Sequence, residues 1–417
     1  MTRRPDDLLS VEEARRRLAR WALPPVRDRL PLRQAAGHVL AADARADRDL
    51  PPFDRAAVDG YAVRLRGPWR EGNEFEVLGV LPAGQQWEGA LRPGTAVKVM
   101  TGSPVPRGAD GVVMVERSEV LSATRVRLSG PWAAEAPQRP GLAARGEDAR
   151  RGAVVLARGT LLEAPALAVL ASIGLCSVPV FRRPAVAILA TGAEIVKPEQ
   201  TPAPGRIRDA NGPALEAMLS RSDAARTAAA AIVRDDFRAL CRAIRGVKAP
   251  VLVLTGGVSA GDFDLVPDAL EECGYSLRLH RLAIRPGKPL LFATAGSGRA
   301  RRAVFGLPGN PVSVQVTAWE FLLPYLRAAA GWKEAGPRRL AARAAAAIER
   351  KPGLTHFVFG ATAYDSGGDL TVREVRSHSS GDFVAAARAD CLIPLPAENP
   401  AVRAGDICWI HPWRFGW

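Results

Sequence analysis

The residues with the clearest chemical potential lie in one stretch, VLVLTGGVSAGDFD, from Val251 to Asp264. Val251 to Leu254 is a short apolar run that reads as a buried strand. It stops at Thr255-Gly256-Gly257, where glycine lets the backbone turn sharply and approach a ligand closely. Ser259, Asp262 and Asp264 then set a hydroxyl and two carboxylates beside the turn. A strand that ends in such a turn and leads into a helix suits an anionic ligand, because unpaired backbone N–H groups point outward there. An ordinary strand-to-helix loop, with glycine for geometry and aspartate for capping, accounts for the same residues. Two further junctions tilt the balance. Ala185 to Ala190 ends in Thr191-Gly192-Ala193-Glu194, and Ala303 to Leu307 ends in Pro308-Gly309-Asn310-Pro311. Arg285-Pro286-Gly287-Lys288 lies between the second and third junctions. Three junctions of one style suggest one sheet whose carboxyl ends share a crevice.

Composition sets wide bounds. A length of 417 residues predicts about three domains, and near-average apolar and charged content fits a soluble protein with an ample core. Five scattered cysteines with no C-x-x-C pair argue against a disulfide framework or zinc ribbon and for a reducing compartment, the cytoplasm. Five histidines and no H-E-x-x-H argue against a zinc hydrolase. The start, MTRRPDDLLSVEEARRRLARW, has no apolar core and does not read as a signal peptide. The uncharged run Ala164 to Phe181 is broken by Pro165, Gly174 and Pro179, which predicts a buried helix and then a strand rather than a membrane span. A net charge of +14 raises nucleic-acid binding. The arginines are spread without a dense basic arm or interleaved aromatics, so solvated faces and a local phosphate site at Arg281, Arg285 and Lys288 are preferred.

The elements that must position the junctions follow from patterning. Ser10 to Trp21 reads as an amphipathic helix with a Ser10–Glu13 capping box, and Leu32 to Ala42 as a second, shorter one. Pro51-Pro52 bar helix and open an extended segment in which Asp59 precedes Gly60, a turn signal. Phe75 to Arg127 shows short strands broken by Gly and Pro, a small β domain. Arg145-Gly146-Glu147-Asp148 leads back to helix, with Thr160 to Ala171 closing the first part. Pro184 to Gly331 alternates strands and helices, which implies parallel βαβ units. There, Asn211 and Pro213 mark a helix start, and Ala228 to Val233 is a strand ending in Arg234-Asp235-Asp236. Gly331 to Arg339 is a hinge, and HFVFGATAY, LTVREV, DCLIPLPA and DICWI make a terminal small β-barrel.

Taken together, PPFDRAAVDGYAV, VMTGSPVPRGAD, RGED, TGAE, TGGVSAGDFD, AIRPGKP and GLPGNPVS, in this order along the whole chain, resemble the molybdopterin molybdenumtransferase family, MoeA and the gephyrin E domain. The resemblance implies a multidomain α/β plus β fold. It places a discontinuous helical N-terminal domain at 1–45 and 145–182, an inserted β domain at 46–144, a central parallel-sheet α/β molybdopterin-binding domain at 183–331 and a C-terminal β-barrel at 332–417. It implies insertion of molybdate into the dithiolene of adenylylated molybdopterin, with Mg2+-dependent cleavage that releases AMP. By the same resemblance Asp59, Asp148, Glu194, Asp235 and Asp264 form the acidic set, with Glu194, Asp235 and Asp264 as metal ligands. Asp236 is left to cap its helix. Thr101 contacts the ligand, Arg281, Arg285 and Lys288 take oxyanions, and Thr255, Gly256, Gly257 and Ser259 cradle the ligand with Pro308, Gly309, Asn310 and Pro311.

The residues themselves agree with this chemistry. No Ser-His-Asp triad can be assembled from the motifs and no cysteine sits in one, so the set suits a phosphorylated ligand and a hard cation rather than covalent catalysis. One departure stands out: Ser377-His378-Ser379-Ser380 is followed by Gly381-Asp382, whose carboxylate would repel an oxyanion. The family also implies a two-fold homodimer with shared sites and contact with a molybdopterin adenylyltransferase, and neither nucleic acid nor membrane as partner. The rival readings are the adenylyltransferase itself, disfavoured by the string Gly256-Gly257-Val258-Ser259 and the additional domains, and a non-catalytic molybdopterin-binding or scaffold protein.

Overall fold

The computed structural model describes residues 8–130, 139–258, 265–377 and 381–412, so Ser259, Asp262, Asp264 and the His378–Ser380 segment lie outside the described residues. The chain forms two compact units, one of Met1–Ala42, Gly159–Glu163 and Ser177–Trp417, the other of Asp43–Arg158 and Ala164–Cys176. Among the described residues no helix is long and apolar enough to cross a membrane.

The first unit opens with the helix Val11–Arg20, whose first free amides are met by the Ser10 hydroxyl, which accepts from Glu13 N–H at 3.2 Å. Val11, Ala14 and Leu18 bury one stripe of it. The second helix expected over Leu32 to Ala42 does not form. Leu32–Gln34 is one 3-10 turn between the strands Arg27–Pro31 and Val39–Leu40, and both strands pair with Ser177–Phe181. The helix-favouring run between Pro31 and Gly37 is too short to nucleate a helix, and strand pairing wins.

The centre of this unit is a six-stranded sheet, in spatial order Arg226–Val233, Ala185–Thr191, Val251–Thr255, Arg302–Leu307, Leu291–Ala295 and Ser276–His280. The first four strands are parallel, as the βαβ pattern predicts. The last two are antiparallel, so the sheet is mixed rather than wholly parallel. Their connection, residues 281–290, is too short for the crossover that parallel neighbours require. Every residue of Ala185–Thr191 and Val251–Thr255 is buried, as fits strands covered on both faces. On one face Phe292, Phe305 and Tyr325 form an aromatic cluster with centroids 4.9, 5.4 and 5.1 Å apart.

Helices Pro311–Thr317 and Leu323–Ala329 are joined by a π-turn, Ala318–Leu322. That turn carries Glu320, which is fully buried. Its carboxylate accepts Arg15 Nη2 at 2.9 Å and His411 Nδ1 at 2.8 Å. The C-terminal strands close into a ring: Thr355–Tyr364, Leu370–Glu374, Leu340–Ala344, Ile407–Pro412 and Cys391–Leu395, the last pairing back onto the first. This is the β-barrel read from the strand spacing, and the two-residue strand Ile284–Arg285 adds to its outside against Thr355–His356.

The second unit holds a six-stranded sheet in the order Gly111–Met114, Gly60–Val63, Thr95–Val99, Asn73–Leu81, Arg125–Leu128 and Ser118–Ser122. Its helix spans Ala164–Ser172 and buries Leu170 alone, so the expected buried helix is largely at the surface of the unit. Arg145 to Asp148 is a turn, followed by the short strand Val154–Leu156 rather than by helix, because Gly152, Gly159 and Pro165 leave no uninterrupted helical run before Ala164.

Asp236 caps the helix Phe237–Gly246, its Oδ1 accepting Ala239 N–H at 2.8 Å. Asp236→Ala should therefore cost about 1 kcal/mol of stability in urea denaturation.

Candidate functional site

The parallel strands end side by side at Val233, Thr191, Thr255 and Leu307, and the sequence that follows each end carries the predicted ligand residues. Three of these junctions are packed against each other by backbone contact. Gly256 sits at φ +89°, and a Cβ there would fall 2.3 Å from the Thr191 carbonyl oxygen, so the close approach admits glycine alone. Its N–H donates to the Leu307 carbonyl at 3.1 Å, and Thr191 Oγ1 donates to the Thr255 carbonyl at 3.2 Å. A Cβ on Gly309 would lie 3.5 Å from Gly256 Cα, which brings the PGNP loop against the TGG turn. Asn310 caps the helix Pro311–Thr317 by accepting Val312 N–H at 3.2 Å. Thr255, Gly256, Gly257, Pro308, Gly309, Asn310 and Pro311 are thus gathered at one end of the sheet.

Glu194 follows the Thr191 strand and folds back on it: a Cβ on Gly192, at φ +154°, would meet Glu194 Oε2 at 2.7 Å. Asp235 follows the neighbouring strand Arg226–Val233, and Asp236 takes the capping role, so the two adjacent carboxylates have separate positions. The third predicted metal ligand, Asp264, and the cradle residue Ser259 lie outside the described residues. Among the described residues no group of three or more His, Cys, Asp or Glu side chains converges as a metal site.

Sequence reading missed Asn211, which it took as a helix start. It is 7 % exposed, and its Nδ2 donates to the Gly309 carbonyl at 2.8 Å, which fixes the PGNP loop. Asp209 Oδ1 accepts the Asn211 and Gly212 amides at 3.0 Å each. The available signal was the Asp209-Ala210-Asn211-Gly212 string itself, an Asx-capped helix start that leaves the asparagine amide free to reach across.

Of the three predicted oxyanion residues, Arg285 alone lines a cavity of about 370 Å³, together with Ser377, Arg350, Lys351 and His356. Arg281 and Lys288 are not among its lining residues. They lie on a tight loop closed by backbone bonds, in which Arg281 N–H donates to the Leu290 carbonyl at 3.0 Å and Leu282 N–H to the Lys288 carbonyl at 2.7 Å. Burial pushes the His356 imidazole below its ordinary range, and the Arg350 and Arg285 charges act the same way. His356 Nε2 lies 3.2 Å from the Lys351 carbonyl. Arg350 pairs with Glu374. The adjacent Arg350-Lys351 pair before Pro352-Gly353 was a legible signal that sequence reading passed over. Asp382, expected to repel an anion beside Ser377, has its carboxylate occupied as the cap of the helix Phe383–Arg388, accepting Ala385 N–H at 3.1 Å.

In the second unit, Asp59 and Thr101 are brought together. Asp59 Oδ1 accepts Thr101 N–H at 2.6 Å and Thr101 Oγ1–H at 2.8 Å. The Thr101 amide, and then its hydroxyl, hold the Asp59 carboxyl below the ordinary carboxylate range. Asp148 lines a cavity of about 690 Å³ in this unit with Gly102, Arg48, Arg55 and Phe53. Asp54, in the same PPFDRAAVDGYAV string, is a structural anchor, accepting Arg145 N–H at 2.8 Å and pairing with Arg139 at 2.7 Å.

A depressed carboxyl adds stability at pH values above its unfolded value, and that contribution is lost as pH falls through the lower folded value. Titration of Asp59 followed by NMR should therefore place its midpoint below the ordinary aspartate range. Thr101→Val should raise the midpoint only part of the way, because the stronger backbone donor remains. A midpoint at the ordinary value in the parent chain would contradict the bonding described. Gly256→Ala should lower stability by about 1–3 kcal/mol in denaturant unfolding, because it forces a strained φ against a carbonyl.

Comparisons with known proteins agree along the chain. Residues 9–174 match the MoeA N-terminal region (domain I and II), residues 187–328 a probable molybdopterin binding domain, and residues 341–413 the MoeA C-terminal region (domain IV). A molybdopterin molybdenumtransferase of Nostoc sp. is 33% identical over 383 residues, covering 89% of this chain and 85% of the relative. One from Staphylococcus epidermidis is 30% identical over 406 residues, covering 96% and 94%. The crystal structure of a molybdopterin biosynthesis moeA protein from Pyrococcus horikoshii OT3 superposes with a TM-score of 0.80 at 26% identity, covering 97% of this chain and 100% of that one. By these whole-length matches the chain belongs to the MoeA family of molybdopterin molybdenumtransferases.

Proposed function

We propose that this chain performs the activity its relatives are named for, transfer of molybdenum to molybdopterin in molybdenum cofactor biosynthesis. In finer terms, it takes adenylylated molybdopterin and molybdate and releases AMP as the metal enters the dithiolene. The observation that carries this reading is the packing of the Thr191, Gly256 and Gly309 backbones at the carboxyl ends of the parallel strands. Such a crevice, bordered by helix starts, fits a phosphorylated ligand.

Glu194 and Asp235, at neighbouring strand ends, fit a magnesium ion, which is held by one or two carboxylates together with substrate phosphates and retains several waters. Bound there, Mg2+ would supply positive charge that neutralises the phosphates of the substrate. The residues of the chain have separate tasks. The Thr255–Gly257 turn and the Asn211-anchored PGNP loop seat the phosphates. Arg285, in the cavity it shares with Ser377 and Lys351, takes the tetrahedral oxyanion through charge-assisted hydrogen bonds. Neutral His356 leaves that pocket's positive charge to the guanidinium and ammonium groups. We further propose a homodimer as the working form; sedimentation at working concentration tests it, and a monomer with full turnover contradicts it.

Incubation with adenylylated molybdopterin, molybdate and Mg2+, followed by AMP release, tests the reading. Asp235→Asn should reduce AMP release by about 100-fold or more, while Asp236→Ala keeps it near the parent rate. Arg285→Ala should raise the molybdate concentration needed for half-maximal rate by about tenfold with less effect on binding of the adenylylated substrate. Full activity of Asp235→Asn, or full activity in EDTA, contradicts the cation site.

A further inference from the structure

The same sheet carries a second concave site at its other end. Ala185 and Arg226 are the first residues of their strands, Pro250 immediately precedes Val251, and Arg301 immediately precedes Arg302. All four line one cavity of about 240 Å³, at the amino ends of the parallel strands and so opposite the crevice described above. Five of its twelve lining residues are arginines, Arg182, Arg183, Arg226, Arg299 and Arg301, where the whole chain has 57 Lys and Arg in 417. No aspartate or glutamate lines it.

The charges are only partly compensated. Arg182 pairs with Asp28 at 3.0 Å and Arg183 with Asp223 at 2.7 Å. Arg301 Nη1 donates to the Ala22 carbonyl at 2.9 Å and its guanidinium lies 5.3 Å from the Trp21 ring centroid. Among the described residues Arg226, Arg299 and Arg301 have no ion-pair partner. The Nε atoms of Arg183 and Arg301 are buried and lack any hydrogen-bond acceptor. Buried donors without acceptors cost free energy unless a ligand or water meets them. Three guanidiniums in excess over carboxylates, with an orphaned N–H on one of them, Arg301, and another on the paired Arg183, match a doubly charged tetrahedral anion.

The remaining wall is apolar, formed by Leu23, Val26 and Ala329 among others. A single small cavity with an apolar side and no aromatic platform does not suit a nucleic-acid strand, which needs a basic track and stacking surfaces. We propose that this cavity binds a small phosphate monoester, its phosphate on the arginines and its organic part against the apolar wall. The site is independent of the reading of the crevice, since it shares no residue with it.

Calorimetric titration of the full chain with phenyl phosphate, inorganic phosphate and chloride at fixed ionic strength tests this. Saturable binding of phenyl phosphate is expected, with a dissociation constant on the order of 1 mM or below, tighter than inorganic phosphate and much tighter than chloride. Replacing Arg226 and Arg299, both exposed, by alanine should weaken it by about tenfold or more without moving the melting temperature of the free protein. Arg285→Ala should leave it unchanged. Binding that does not saturate, equal response to chloride, or loss in Arg285→Ala with retention in the Arg226/Arg299 double variant would each overturn the proposal. None of these outcomes depends on turnover of the molybdopterin substrate.

Discussion

The constraint on which the first unit depends is a charge with no access to water. Glu320 is fully buried, and a buried carboxylate is tolerated only when its oxygens are occupied by donors and its charge is matched. Its two partners come from far apart in the chain. Arg15 lies on the first helix and His411 on the last barrel strand, while Glu320 itself sits on the π-turn of the helical run that starts at the PGNP loop. The widened turn is what presents the carboxylate inward between them, in keeping with the tendency of such turns to mark functional positions. The first helix, the helices behind the site loop and the barrel are therefore tied through one carboxyl group. Loss of Arg15 would leave the Glu320 charge uncompensated in the interior.

The site loops obey a second, steric constraint. The TGG turn passes so close to the Thr191 carbonyl that no side chain fits at Gly256, and the PGNP loop rests on the same glycine. Asn211 then locks that loop from a different helix. A ligand entering the crevice meets backbone already held in place, which lowers the ordering cost of binding.

Much of this was legible in the residues. The three apolar runs ending in glycine turns gave the parallel strands because each is a fully buried segment with unambiguous punctuation, and Asp236 could be set aside as a cap because one helix start needs one carboxylate. The helix misread over Leu32 to Ala42 failed for the opposite reason: its residues favour helix locally, while the pairing that decides the matter comes from Phe181, far along the chain. The antiparallel strands at the sheet edge were hidden in the same way. Asn211 was overlooked because an asparagine at a helix start is explained by local bonding, and nothing local reveals the Gly309 carbonyl it reaches. Arg281, Arg285 and Lys288 were grouped on nearness in sequence, and of them Arg285 lines the cavity with Ser377 and Lys351.

Arg285 is held by the barrel as well as by the sheet domain. It belongs to a two-residue strand that pairs, in parallel, with Thr355 and His356 on the outside of the closed barrel. Its coordinates are thus set by the barrel's hydrogen-bond ladder, although by sequence it is an arm of the α/β sheet domain. A slip of the barrel by one residue would turn Arg285 to the opposite side of the ladder. The ring of strands, which by closing removes its own edges, works as a fixed rail along which the arm carrying Arg285 is clamped. Sequence drift inside the barrel would be felt as loss of aim at the arginine long before it was felt as loss of fold.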